Sequence, residues 1–198
     1  MLAVDRPEAG EEPAEALREH LAAGRIEAAR LALVAATKDA VYRYLRHLLR
    51  NDPAVDDLFQ DAYLRAFRSL EWFRGESSST TWMLTIARNT ALNRIRRLKT
   101  ERTWTTVTDD PPEVADAGAN AERAAADLRL ATDSRLLPAL DRLPVAQREA
   151  VLLYYVEDQP IEEVARITNR TPNTVKSDLR RARLALRAAL EGPEDEGK

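Results

Sequence analysis

The sequence predicts an all-α protein: two small helical domains joined by a flexible linker, the C-terminal one a helix-turn-helix. Three observations predict it. Apolar residues recur at helical spacing along most of the 198 residues, and no stretch of convincing length alternates with a strand's period of two. The chain is rich in Ala, Leu, Arg and Glu and has only 6 glycines, a composition of good helix formers. Periodicity then lapses from Thr103 to Asn120, around Pro111–Pro112.

The elements follow in order. Residues 1–13 are rich in Pro, Gly and Glu and are expected to form a disordered tail. The first domain is expected over 14–102. From Ala14 to Arg50 the pattern is helical, with Gly24 separating a short first helix from a longer second. Apolar positions of the second are Ile26, Ala29, Leu33, Ala36, Ala40, Val41, Tyr44, Leu45 and Leu48. In NDPAVDDL, Asp52 is the expected N-cap and Pro53 the first helical residue. The stripe Val55, Leu58, Phe59, Ala62, Ala66, Leu70 and Phe73 carries that helix to Arg74. GESSSTT is a loop, and a helix over 81–100 should bury Met83, Ala87, Ala91, Ile95 and Leu98.

An acidic linker is expected over 103–127, of which the stretch Thr103–Asn120 spans at most about 60 Å when extended. The second domain is expected over 128–191, before a tail at 192–198. It contains a helix opened by Pro144, another opened by Pro160, and a last helix from Thr171 to Leu190.

The charge is unevenly spread. Net charge is −3 and the pI about 5.6, low for a free-standing, tight DNA binder. Yet Arg88, Arg94, Arg96, Arg97, Lys99 and Arg102 form one basic block, and Arg166, Arg170, Lys176, Arg180, Arg181, Arg183 and Arg187 form another. TDDPPEVADAGANAE lies between them without a positive charge. There are no cysteines, which excludes disulfides and thiolate zinc sites and fits a reducing compartment. His20 and His47 alone build no familiar His-rich metal site, and no metal or cofactor is expected. The N-terminus lacks a signal peptide's basic and apolar regions. No apolar stretch approaches the length of a membrane span, so the expected location is the cytoplasm, without membrane insertion.

IEEVARITNRTPNTVKSDL has helix-turn-helix spacing. Ala165 supplies a small side chain where two helices cross closely. Asn169 sits in the turn, where a left-handed backbone is usual and Asn is tolerated next after Gly. Thr171–Pro172 supplies an N-cap and first-turn pair, leaving N–H groups for a phosphate. Val175, Leu179, Ala182, Leu186 and Leu190 form the buried stripe. Thr171, Asn173, Thr174, Lys176, Ser177, Arg180 and Arg181 are candidates to meet a major groove or its phosphates. A basic helix also serves solubility and the helix dipole.

DPAVDDLFQDAYLRAFRSLEWFRGESSSTTWMLTIARNTALNRIRR and LPVAQREAVLLYYVEDQPIEEVARITNRTPNTVKSDLRRARLALRAAL together resemble extracytoplasmic-function (ECF) sigma factors of bacterial RNA polymerase, which contain only sigma regions 2 and 4. The resemblance covers roughly Ala28–Arg102 and Leu136–Leu190. It implies that 14–102 is region 2, which recognises and melts the −10 element, and 128–191 region 4, which reads the −35 element. It implies that both bind core RNA polymerase, at the β′ clamp helices and the β flap, with promoter DNA and an anti-sigma factor as further candidate partners.

Asp56, Asp57, Gln60 and Asp61 lie off the apolar stripe, and the resemblance implies that they dock on the clamp helices. Complementary charge would favour fast, oriented association there. Asp56 also suits the first turn of a helix, and Ala54 stands where many relatives have an acid. On the 81–100 helix, Asn89, Asn93 and Arg96 point away from the buried stripe, flanked by Arg88 and Arg97. Amides and guanidiniums read base edges and hold phosphates; the resemblance makes this the −10 reader. It makes the preceding loop, with Ser78, Ser79 and Thr80, the acceptor of a flipped base. Trp82 and Trp72 either stack on bases or belong to the core. The linker is either an RNA mimic in the exit path or a solvated tether.

Two departures stand out. Relatives usually have apolar residues at the positions of Thr168 and Arg170, so a less well-packed turn is expected. Asp178 replaces a frequent basic residue, and would repel phosphate or accept from a cytosine amine.

Two other functions compete. A stand-alone helix-turn-helix regulator explains the C-terminus but not Asn89, Asn93, the Ser/Thr loop or the acidic helix; half-site protection by the pure protein would favour it. A nuclease or recombinase would use Asp56, Asp57 and Asp61 as metal ligands. It lacks a nucleophile with a nearby base and a second acidic cluster, and metal-dependent nicking lost in Asp57→Ala would revive it.

Overall fold

The computed structural model describes residues 11–50, 52–102 and 135–190. The linker, both expected tails up to residue 10 and from 191, and the expected start of the second domain at 128–134 lie outside them. The chain divides into two units, residues 1–46 with 52–93 and residues 47–51 with 94–198.

The first unit is built on α1 (Glu11–Ala22), α2 (Ile26–Leu48), α3 (Val55–Ser69) and α4 (Ser79–Arg102), whose last turns are grouped with the second unit. α1 begins within the expected tail. Pro13 falls in its first turn, where a missing N–H forfeits no helical bond. Gly24 (φ +68°) ends α1 in the left-handed conformation, and the Arg25 N–H returns to the His20 carbonyl at 2.8 Å.

α2 buries Ala29, Leu33, Val41, Tyr44, Leu45 and Leu48, as its pattern predicts, but Thr37 rather than Ala36. Thr37 is buried at no polar cost. Its hydroxyl donates to the Leu33 carbonyl at 2.7 Å and so accepts from the Tyr63 hydroxyl, also at 2.7 Å. Burial pushes the Tyr63 phenol up, which keeps it a donor. An aromatic row joins α2 to α3: Tyr42 to Phe59 at 5.6 Å, Phe59 to Tyr63 at 4.9 Å and Tyr63 to Phe67 at 6.0 Å. The Arg30 guanidinium covers its end, 5.4 Å from the Phe67 ring.

Two expected boundaries of α3 are corrected. Asp52 is not its N-cap. The Asp52 carboxylate accepts from the Ala54 N–H at 2.8 Å, making a turn ahead of Val55. The helix stops at Ser69, not Arg74. Ser69 Oγ donates back to the Arg65 and Ala66 carbonyls at 3.1 and 3.3 Å, and a 3₁₀ turn over Leu70–Trp72 follows.

Gly75 (φ +71°) then reverses the chain toward α4, and a Cβ there would stand 2.7 Å from Arg18 Cδ of α1. Because the Arg18 stem can move, the cost of Gly75→Ala is mainly backbone strain. It should be about 1–2 kcal/mol by urea denaturation followed through tryptophan fluorescence.

The second unit has α5 (Leu136–Arg142), α6 (Val145–Val151), α7 (Ile161–Thr168) and α8 (Pro172–Leu190). α8 packs on α5, α6 and α7. The helix expected from Pro144 widens at Leu152–Val156 into a π-helical turn, with the Glu157 N–H on the Leu152 carbonyl at 2.9 Å. The neighbours Val151, Leu152 and Leu153 are all buried there. Among the described residues no helix is long and apolar enough to cross a membrane.

Candidate nucleic-acid interface

The helix-turn-helix is α7, the turn Asn169–Thr171, and α8. Asn169 is left-handed (φ 54°, ψ 47°), with its N–H on the Arg166 carbonyl at 3.2 Å and the Arg170 N–H on the Ala165 carbonyl at 3.0 Å. Thr171 Oγ1 accepts from the Thr174 N–H at 3.2 Å and so caps α8. Val175, Leu179, Ala182 and Leu186 are buried as their stripe requires. Asn173, Lys176 and Arg180 are exposed; Thr174, Ser177 and Arg181 are half-buried beside them.

The two departures in this segment are connected. Thr168 does not loosen the turn: it is buried, and its hydroxyl donates to the Val164 carbonyl at 2.7 Å. Arg170 leaves the surface and bridges two helices. Its Nη2 meets the Glu149 carboxylate at 2.5 Å; its Nη1 reaches the Ala146 carbonyl at 3.1 Å and Asp178 Oδ2 at 3.2 Å. Asp178 therefore does not lie on the exposed face of α8. It is 5% exposed, and its Oδ1 accepts from Arg181 Nη2 at 3.0 Å. A carboxylate between two guanidiniums is compensated.

On α4 the exposed face carries Asn89, Asn93, Arg96 and Arg97. Arg88 departs from the expectation: it is 9% exposed and so is buried rather than on that face. Two hydroxyls of the preceding loop are also taken up by the fold. Ser78 caps α4, with Oγ accepting the Thr81 N–H at 3.0 Å, so the helix starts at Ser79, ahead of the expected residue 81. Ser79 is 2% exposed, while Thr80 stays half-buried. Trp82 is half-buried against Phe73, with ring centroids 5.1 Å apart. Trp72 is 76% exposed, an aromatic face that the apolar pattern alone left between core and surface.

On α3, Asp56, Asp57 and Gln60 are exposed and Asp61 half-buried. Asp56 accepts from the Tyr42 hydroxyl at 3.1 Å, whose hydrogen bond and charge raise the Tyr42 pKa. Asp61 pairs with Arg65 at 2.8 Å. Leu64, one turn beyond Gln60, is an exposed apolar member of this face. Among the described residues no group of three or more His, Cys, Asp or Glu is placed to hold a metal ion.

Two family models match the chain: Sigma-70 region 2 over residues 33–101 and Sigma-70, region 4 over residues 134–186. The ECF RNA polymerase sigma factor SigM of Mycobacterium tuberculosis is 35% identical over 150 residues, covering 76% of this chain and 71% of that protein. SigC of the same species is 32% identical over 164 residues, covering 83% and 84%. SigX of Bacillus subtilis is 28% identical over 153 residues, covering 76% and 78%. The fold is similar to the Bartonella quintana sigma factor RpoE, solved with the anti-sigma factor NepR (TM-score 0.63, 22% identity, covering 81% of this chain and 96% of that one). It is also similar to CnrH, solved with the cytosolic domain of CnrY (TM-score 0.64, 20% identity, 92% and 100%). With an exposed polar face on one unit, a helix-turn-helix on the other and relatives matched over most of their length, the chain belongs to the ECF sigma factors of bacterial RNA polymerase.

Proposed function

We propose that this sigma factor directs initiation by reading a −35 element with α8 and a −10 element with α4, while the acidic face of α3 docks on core polymerase. The domain boundaries that go with this reading are 14–102 for region 2 and 128–191 for region 4. The observation that carries it is the outward face of α8: Asn173, Lys176 and Arg180 are exposed there, and the one acid of its central turns, Asp178, is turned inward. Amides, hydroxyls and cations on a capped helix suit a major groove and its phosphates. Asn89 and Asn93 offer the same chemistry on α4, with Arg96 and Arg97 for the backbone. Polymerase supplies most of the nonspecific affinity, which fits the net charge of −3.

The deciding experiment is run-off transcription with reconstituted holoenzyme, beside footprinting by the chain alone. Polymerase-dependent start sites support the reading; tight operator protection without polymerase rejects it. In the same assay Arg180→Ala should lower −35-dependent initiation about tenfold, the worth of one good base or phosphate contact. A template that initiates without a −35 element should respond much less.

The polymerase-facing surface has its own test. Asp61→Arg should weaken competition for core about tenfold or more, because it reverses a charge on a face proposed to meet a complementary one. Helix content should stay within error, since Asp61 is only half-buried and its partner Arg65 is exposed. Undiminished competition by that variant removes the docking assignment. An anti-sigma factor is a further proposed partner, since the structurally similar sigma factor RpoE was solved with the anti-sigma factor NepR. Co-purification from the native cell would test it.

A further inference from the structure

The charges inside the helix-turn-helix form one connected chain, and its last member lies on the proposed reading face. Glu149 of α6 holds Arg170, Arg170 holds one oxygen of Asp178, and the other oxygen holds Arg181. The chain starts at a fully buried carboxylate and ends at a side chain 39% exposed. Each carboxylate oxygen of Asp178 therefore has one guanidinium, and neither can swing away without leaving the other half-paired. Arg181 is constrained further. Its Nη2 is committed to Asp178, and its Nε is buried without a hydrogen-bond partner. Nη1 and the second N–H of Nη2 remain to reach outward.

An arginine in this state differs from its neighbour Arg180, which is exposed. A free arginine follows whichever phosphate or base is nearest and adds charge with little selectivity. One whose guanidinium plane is fixed before binding offers its remaining donors in a set direction, and loses less side-chain freedom on contact. Direction is what discriminates between base edges, whereas charge alone does not.

We infer that Asp178 is a positioning residue for promoter reading: through Arg181 it converts a general cation into a sequence-discriminating one. This rests on the proposal that α8 reads the −35 element. It also gives the acid at position 178 a role that needs no contact with DNA.

The test presents reconstituted holoenzyme with a promoter library randomised across the −35 hexamer and sequences the transcripts. Asp178→Asn keeps the volume and removes the charge that holds Arg181. It should flatten preference about tenfold at the one or two positions that Arg181→Ala flattens, and adding it to Arg181→Ala should change nothing more. A uniform fall at every position, an altered preference at positions that Arg181→Ala leaves alone, or no change would each overturn the inference. Should Asp178→Asn fail to fold by circular dichroism, Arg181→Lys decides. It keeps the charge without the planar fork, so wild-type preference in that variant overturns the inference and flattening supports it. If wild-type holoenzyme shows no −35 preference, the reading of α8 fails with it. If Arg180→Ala alters preference and Asp178→Asn does not, only the positioning role fails.

Discussion

Replacing Arg170 with methionine should destabilise the second unit by roughly 3–5 kcal/mol, the usual cost of removing one partner from a buried ion pair. Methionine fills the space of the arginine stem, so the loss is electrostatic more than steric. Glu149, 0% exposed, would lose a partner at 2.5 Å, and Asp178 would keep only Arg181. The α6 end would also lose the bond from Arg170 to the Ala146 carbonyl. A unit of this size has little stability to spare, so much of the population should unfold at physiological temperature.

Two probes make the effect local. In a Trp104→Phe background the remaining tryptophans, Trp72 and Trp82, both lie in the first unit, so their fluorescence should keep its wild-type urea midpoint. Circular dichroism reports helices of both units and should show an early transition. Adding Glu149→Gln and Asp178→Asn to Arg170→Met should recover much of the loss, because neutral amides cost less to bury without a cation. A single variant as stable as wild type, or a triple variant no better than the single, would show that packing rather than charge holds this turn.

The same cluster marks where the sequence was legible and where it was not. Helical periodicity predicted the buried stripe of α8 at Val175, Leu179, Ala182 and Leu186, because they are apolar and the rule concerns apolar spacing; Leu190, at the helix end, is only half-buried. The left-handed turn at Asn169 and the cap at Thr171 were also readable, since few residues suit those backbones. Arg170 and Asp178 were read one at a time and so looked like defects. Their meaning lies in a pairing eight residues apart that also recruits Glu149 from another helix, and local patterns carry no such term.

Thr37 and Tyr63 escaped for a related reason. Each is polar, and their hydroxyls meet across two helices, with the Leu33 carbonyl taking the Thr37 proton. On α4 the exposed positions Asn89, Asn93, Arg96 and Arg97 followed from the wheel, but Arg88 did not. The wheel assigns a charged residue outward by default, whereas Arg88 is buried and has partners of its own, which spacing along one helix does not show. Ser78 and Ser79 are small hydroxyls of the kind that would suit a flipped base. The fold uses the first to cap α4 and buries the second, and a loop's composition does not reveal which of its hydroxyls the backbone will claim.

That division on α4 yields the other large effect. Asn89→Ala should reduce open-complex formation at a promoter with an intact −10 element by roughly ten- to a hundredfold, equivalent to about 1–3 kcal/mol for a lost bidentate base contact. The side chain is exposed, so stability should stay within about 0.5 kcal/mol of wild type. Arg88→Ala should behave oppositely, lowering the urea midpoint of the first unit through lost burial while base preference at −10 is kept. Permanganate reactivity of unpaired thymines measures melting directly. A template with a preformed bubble then separates two explanations of any Asn89 defect. If Asn89 reads the duplex edge before melting, the bubble should restore most of the activity, because the step that needed the amide has been bypassed. If it instead holds the separated strand, the bubble should give little rescue and the defect should persist as weak retention of single-stranded DNA. Full activity of Asn89→Ala on duplex promoters, with Asn93→Ala equally silent, would leave α4 without a reading face and return its exposed amides to the ordinary solvated surface of a helix.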